Sequence, residues 1–164
     1  LHNSPRRQRQ MCIRDRGITE RINSGFVTGL AGHFGTRQKN GDRKVILSHA
    51  GHRQVLVYRK KENTIELIEL PNGTVMGLPG TTASRAKAIK LQIGDRFYAF
   101  TDGIVEASNP KGEEFGTKRV MDAVKSLSAQ PIQKTVEALY TKVAKFTQVP
   151  DQQDDITILG FELS

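Results

Sequence analysis

Cysteine and long apolar runs are both scarce in this 164-residue sequence. The single cysteine, Cys12, lies in the first 16 residues, so the rest of the chain has no thiol for a disulfide or a thiolate metal site. No apolar stretch approaches the roughly 18 residues of a membrane-spanning helix, and no apolar segment follows the basic start as in a signal peptide. We therefore expect a soluble, cytoplasmic protein with no membrane contact in this stretch; an anchor elsewhere in a longer parent protein stays open.

Positive charge is in excess, but it is unevenly distributed. The formal net charge is +8, and residues 1–16 hold five arginines against one aspartate, which is half of that excess. This segment has no periodic apolar pattern. Three interpretations are open: a non-native segment, a disordered tail, or a basic arm that contacts phosphates. We expect one of the first two, followed by a single domain over 17–164. Base-stacking aromatics are not interleaved with the later basic residues, so we expect no nucleic-acid partner.

Strand patterns dominate the first two thirds of the chain. The segments 25–34, 44–51, 53–60 and 65–70 are β-branched or alternate at period two, and Asn40-Gly41 is a hairpin signal. They predict a meander of four strands. Two further strands are predicted at 86–92 and 96–101, and the second of these is apolar on both faces.

Helix patterns follow, and then one more strand. Val120, Val124 and Leu127 predict a short helix, and Pro131 suits the first turn of the next one. The residues of the second helix's apolar stripe are spaced by three or four, namely Ile132, Val136, Leu139, Val143 and Phe146. The segment 156–163 predicts a closing strand. Strands, two helices and a strand indicate an α+β fold in which helices cover an antiparallel sheet.

Acidic residues stand at the ends of two of these strands. Asp102 follows the strand at 96–101, and Asp154-Asp155 precede the closing strand. Carboxylates at strand ends are hard oxygen ligands suited to Mg²⁺ or Mn²⁺. Asp102-Gly103 is also an ordinary turn pair, and Asp154-Asp155 an ordinary acidic loop end. From the residues alone, both interpretations stay open.

Two other patterns are weaker. His49 and His52 are three residues apart, but their neighbours predict a corner between strands, where such a pair does not face one ligand. The glycine-rich segment GLPG, at 77–80, is not followed by the Lys-Ser/Thr of a phosphate-binding loop. We assign neither pattern to chemistry.

The order of motifs carries more information than any single one. FVTGLAGHF, LSHAGHRQVLVYR, GLPG, LQIGDRFYAFTDGIVEASNPKGEEFG and DDITIL follow one another over about residues 25–163. This succession resembles the bacterial type 2C, or PPM, metal-dependent serine/threonine phosphatases, in the branch of stage II sporulation protein E and the stress-sigma-factor regulators. The resemblance implies a β-sandwich with helices outside both sheets, and hydrolysis of phosphoproteins by metal-activated water.

The resemblance also implies roles for particular residues. Asp102 and Asp154 are the expected catalytic residues and ligands of Mn²⁺ or Mg²⁺, of which the intact domain holds two ions. Asp155 is expected to orient its neighbour, and Gly103 to let the backbone pass close to the site. The turn formed by Ala50, Gly51 and His52 is expected to be a packed corner. No residue is assigned to an organic cofactor.

One motif of the resemblance is missing. The family's upstream GDxxGxG segment, whose aspartate bridges both ions, has no match before Gly25. Asp15 and Asp42 are the remaining candidates, one in the basic tail and one in a hairpin turn. We therefore expect an incomplete αββα sandwich that lacks its N-terminal part, is inactive or nearly so by itself, and is prone to associate. The alternative is a pseudophosphatase or other protein-binding module.

The branch also implies partners. The expected substrate is a phosphorylated regulatory protein in bacterial signal transduction, such as an anti-sigma-factor antagonist. A homodimer of the parent protein stays open.

Overall fold

Seven strands and two α-helices form within residues 26–76, 85–148 and 155–164, which are the residues that the computed structural model describes. The strands are β1 (Gly29–Phe34), β2 (Arg43–Ala50), β3 (Gln54–Arg59), β4 (Thr64–Glu69), β5 (Lys87–Leu91), β6 (Arg96–Phe100) and β7 (Ile158–Glu162). The helices are α1 (Gly116–Ser126) and α2 (Ile132–Thr147). The chain divides into two compact units; one contains β1 and nearly all of β2 and β5, and the other contains the remaining strands and both helices.

The first unit contains a three-stranded sheet in the order β1-β2-β5. β1 and β2 are antiparallel, with Gly29 opposite Ala50 and Phe34 opposite Val45. The turn between them closes where Gly41, at a φ of +85°, donates its N–H to the Gln38 carbonyl at 2.9 Å. The hairpin predicted from Asn40-Gly41 is thus confirmed.

The second unit contains a four-stranded sheet in the order β4-β3-β6-β7. β3 pairs antiparallel with both β4 and β6, and β6 pairs antiparallel with β7. Two antiparallel sheets and two helices confirm the predicted fold class. No helix in the described ranges is both long and apolar enough to cross a membrane.

The predicted four-stranded meander is wrong. β1 and β2 lie in one sheet, whereas β3 and β4 lie in the other, so β2 does not pair with β3. The physical reason lies in the corner at Gly51, whose φ of +89° turns the chain out of the β2 ladder instead of folding it back as a hairpin. Every residue of β3 from Val55 to Tyr58 is buried, which suits a central strand with a ladder on each side.

Both helices cover one face of the four-stranded sheet. Leu56 of β3 lies opposite Tyr98 of β6, and their side chains share a cluster with Val120 and Val124 of α1 and Leu139 of α2. These five side chains are at most 1 % exposed, as the 3.6-residue period predicts for the inner face of a helix. Burial of each large apolar side chain stabilises the fold by about 1.5–3 kcal/mol.

A buried aspartate fixes the turn before β6. The Asp95 carboxylate is fully buried and accepts hydrogen bonds from Arg59 Nη1 at 2.9 Å and from the Gln92 and Lys60 backbone N–H groups at 3.0 and 3.2 Å. Burial lowers the pKa of Arg59, but its bonds to Asp95 and Glu66 outweigh that effect and raise the pKa. Arg59 therefore stays charged and pairs with the buried carboxylate.

The Gly51 corner gives a test of the fold. A Cβ at Gly51 would lie 2.6 Å from Thr28 Cγ2 and 3.0 Å from Thr28 Cβ, in addition to the unfavourable positive φ. Gly112 has a φ of +78°, but a Cβ at that residue would have no atom within 4 Å, so Gly112→Ala measures the φ cost alone. We expect Gly51→Ala to destabilise the chain by about 1–3 kcal/mol more than Gly112→Ala in urea titrations. Equal losses would contradict a packed corner.

Candidate metal site at the edge between β6 and β7

Asp102 begins a tight turn directly after β6. The chain leaves the strand at Thr101 and forms one 3₁₀ turn over Asp102–Ile104. The Asp102 carbonyl accepts the N–H groups of Val105 at 2.9 Å and Glu106 at 3.0 Å. Ile104 is fully buried in the helix-facing cluster and anchors the turn. The backbone therefore has the turn geometry expected of an Asp-Gly pair.

The side chain of Asp102 takes no part in that turn. It is exposed, and its carboxylate makes no hydrogen bond to another residue of the described ranges. Within the described part of the chain, no lysine or arginine forms an ion pair with it. Gly103, by contrast, is buried. An exposed carboxylate that has no partner among the described residues is available to a ligand.

The pairing of β6 with β7 brings the second acidic segment to the same edge. Phe100 lies opposite Ile158, and the ladder continues where Thr101 N–H donates to the Thr157 carbonyl at 3.1 Å. The Thr101 hydroxyl then donates to the Asp155 carbonyl at 3.0 Å. The residue before Asp102 is thus bonded to Asp155, although 54 residues separate them in sequence. The two acidic segments meet at one end of the sheet.

The described residues include only part of the predicted site. Asp154 lies outside them, as do Asp15 and the GLPG segment. Asp155 is described and exposed, and it directly follows Asp154 in sequence. The roles assigned to Asp102, Gly103, Asp154 and Asp155 therefore stay predictions. The domain boundary at residue 17 also falls outside the described ranges and stays a prediction.

Two other candidates, one acidic residue and one histidine, are buried and form hydrogen bonds inside the fold. Asp42 is buried in the β1–β2 turn, where its carboxylate accepts from the Asn40 side-chain amide at 2.8 Å. His49 is fully buried, and its Nε2 donates to the Pro71 carbonyl at 2.6 Å. Across 26–76, 85–148 and 155–164, no three His, Cys, Asp or Glu side chains are grouped closely enough to hold a metal ion.

The donors at this edge fit a hard divalent cation, but as an incomplete set. Asp102 supplies carboxylate oxygens, and Asp155 is a second acidic residue at the same end of the sheet, where its backbone carbonyl accepts the Thr101 hydroxyl. Mg²⁺ and Mn²⁺ prefer oxygen ligands of this type. Like charges at one edge also repel each other, and a bound cation relieves that repulsion.

Thr101 is a residue that the sequence patterns did not predict for the site. Its hydroxyl donates to the Asp155 carbonyl and accepts the Thr157 N–H at 2.9 Å, so it makes two bonds to the segment that leads into β7. A signal is present in the sequence, since a threonine stands between the apolar strand and Asp102. That signal is weak because a strand-end threonine is common and its partner lies more than fifty residues away.

Solved structures that contain phosphatase domains share the fold of this chain. The SiaA-PP2C domain of Pseudomonas aeruginosa matches with 23% identity and a TM-score of 0.67, over 92% of this chain and 58% of that one. The RsbU and RsbW domains of a Mycobacterium tuberculosis protein match with 23% identity and a TM-score of 0.71, over 90% and 39%. At these identities the likeness establishes the fold, and the chain spans well under two thirds of both structures.

The sporulation branch is represented as well. The phosphatase domain of the cell fate determinant SpoIIE from Bacillus subtilis matches with 16% identity and a TM-score of 0.60, over 99% of this chain and 74% of that one. The family model of Stage II sporulation protein E (SpoIIE) matches residues 10–164, and the chain belongs to this family. Comparison with curated protein sequences gives no significant match. The predicted resemblance is confirmed, and the matched B. subtilis SpoIIE domain is described as a phosphatase domain.

Stability measurements distinguish a ligand-binding Asp102 from a turn-forming one. The turn uses the backbone of Asp102 and not its carboxylate, so Asp102→Ala should change the free energy of unfolding by less than about 0.5 kcal/mol. Urea unfolding in the presence of a chelator measures this change without any metal contribution. A loss of more than about 1 kcal/mol would favour the turn role.

Proposed function

We propose that the chain is part of a metal-dependent protein serine/threonine phosphatase, and that Asp102 and Asp154 are its metal ligands. The observation that carries this proposal is the hydrogen bond between Thr101 and Asp155, which joins the two acidic segments at one sheet edge. Family membership supports the reaction class. A B. subtilis SpoIIE phosphatase domain was presoaked with Mn for its structure, which supports the kind of metal.

The residues of the chain supply position and charge to the reaction. The carboxylates of Asp102 and Asp154 would hold the cation, and Asp155 would orient its neighbour. Gly103 keeps the turn close to the site without a side chain. A bound Mn²⁺ or Mg²⁺ supplies Lewis acidity, which activates water and neutralises charge on the phosphoryl oxygens. This chemistry needs no Ser, Cys or His nucleophile.

Two carboxylates are too few for a two-ion site. The described ranges contain no group of three acidic or other metal-ligating side chains. We therefore propose that the 164-residue chain holds one ion weakly and has little or no turnover, while the intact domain holds two ions. An acid outside the described residues has to complete the site.

The proposed substrate is a phosphorylated regulatory protein, such as an anti-sigma-factor antagonist. The descriptions of two matched structures support this substrate. One structure combines RsbU and RsbW domains, and the other is the phosphatase domain of a cell fate determinant. These names describe those proteins. A pseudophosphatase remains the alternative, favoured by the incomplete acid set in the described residues.

Metal binding tests the site. We expect the chain to bind Mn²⁺ detectably by electron paramagnetic resonance, and Asp102→Ala and Asp154→Ala each to weaken the binding at least tenfold. Asp122→Ala is a matched control, since this exposed aspartate pairs with Lys118 on α1. Equal effects of all three substitutions would show that binding is nonspecific.

Phosphate release tests the activity. A polypeptide that extends the chain upstream and adds the missing acid should release phosphate from a phosphoserine peptide only with Mn²⁺ or Mg²⁺. Asp102→Ala or Asp154→Ala should reduce its kcat by several orders of magnitude, because the reaction depends on metal-activated water. Metal binding without any phosphate release would favour the pseudophosphatase.

A further inference from the structure

We propose that Thr101 is a positioning residue whose hydroxyl locks the two acidic segments of the site together. The proposal rests on the proposed function only for its effect on metal binding. The lock consists of the hydrogen bonds that the Thr101 hydroxyl makes at the β6–β7 edge, and it does not depend on a bound metal.

The carbonyl of Thr101 accepts a hydrogen bond within the turn and none across the ladder. In an antiparallel ladder, a hydrogen-bonded pair of residues exchanges two N–H···O bonds. Thr101 and Thr157 make only one of them, from Thr101 N–H to the Thr157 carbonyl at 3.1 Å. The second would use the Thr101 carbonyl, but that oxygen accepts the Ile104 N–H of the 3₁₀ turn at 3.2 Å.

The hydroxyl of Thr101 replaces that carbonyl. The Thr157 N–H, which a regular ladder would direct at the Thr101 carbonyl, donates to Thr101 Oγ1 at 2.9 Å. The same hydroxyl donates its proton to the Asp155 carbonyl at 3.0 Å. One hydroxyl thus acts as acceptor and donor at once, which a threonine or serine side chain allows and an apolar one does not.

The use of the Thr101 hydroxyl in place of the carbonyl has a consequence for the site. Because the side chain completes the pairing, the strand and the 3₁₀ turn can overlap at a single residue, so Asp102 stands directly at the paired edge. The backbone of Asp155 is held to the residue before Asp102. Groups that orient metal ligands in this way typically account for a roughly 10–100-fold difference in metal affinity.

Thr101→Val removes the hydroxyl and little else. Valine is close in shape to threonine, favours strands, and retains the bond from residue 101 N–H to the Thr157 carbonyl. Thr101→Ser keeps the hydroxyl and is the rescue variant. Thr141→Val is the matched control, because the Thr141 hydroxyl makes a bond of 2.9 Å to the Glu137 carbonyl within α2.

Amide hydrogen exchange tests the lock without metal. In the 164-residue chain with chelator, we expect Thr101→Val to accelerate exchange at the Thr157 amide by up to about tenfold, while Thr101→Ser and Thr141→Val leave it unchanged. Unchanged exchange in Thr101→Val would overturn the proposal.

Mn²⁺ affinity tests the effect on the site. We expect Thr101→Val to weaken Mn²⁺ binding by about 10–100-fold and Thr101→Ser to restore it, with thermal unfolding no more affected than in Thr141→Val. If Thr101→Val binds Mn²⁺ as tightly as the unsubstituted chain, the positioning role is wrong. If the unsubstituted chain binds no Mn²⁺, the proposed function fails, and the exchange measurement still decides whether the hydroxyl forms the lock.

Discussion

The antiparallel pairing of β6 with β7 brings the chain at Asp102 and at Asp155 to one edge of the sheet, where we propose the metal site. The pair is fastened at both ends. At one end, Leu163 exchanges backbone hydrogen bonds with Gly94 and Asp95, whose carboxylate is itself held by Arg59. At the other end, Thr101 bonds the segment from Asp155 to Thr157. A strand fixed at both ends cannot slip its register, and a slip of one residue would turn every side chain to the opposite face.

The helices support the same pair from one side. Gly160 of β7 permits close contact, since a Cβ there would lie 3.2 Å from both the Tyr98 ring and Val136 of α2. Ile104, the last residue of the 3₁₀ turn that Asp102 begins, is buried in the same cluster as the inner faces of both helices. The rim of the sheet is therefore joined to a packed core through one short turn. Rigid support of this kind is what metal ligands require if their separation is to stay constant.

Local patterns in the sequence predicted the elements well, and pairing between distant elements poorly. The apolar stripe from Ile132 to Phe146 predicted α2 because helical period is a local property. The prediction of a four-stranded meander failed because the alternation of apolar and polar residues indicates which residues are buried. It does not indicate which strands are neighbours in a sheet. The family motifs indicated Asp102 and Asp154, whereas the contact of Thr101 with Asp155 depends on backbone geometry more than fifty residues apart. No single-sequence pattern encodes that contact.

The overlap of strand and turn at Thr101 also bears on the order of folding. Phe100 and Ile158 are paired neighbours, yet both helices lie between them in the chain. Closing so long a loop is entropically costly, and contacts of this kind generally slow folding. Before β7 joins the sheet, the carbonyl of residue 101 can still close its turn, but the two acidic segments remain apart. The proposed binding edge therefore depends on this long-range contact, and it is complete only once β7 has joined the sheet.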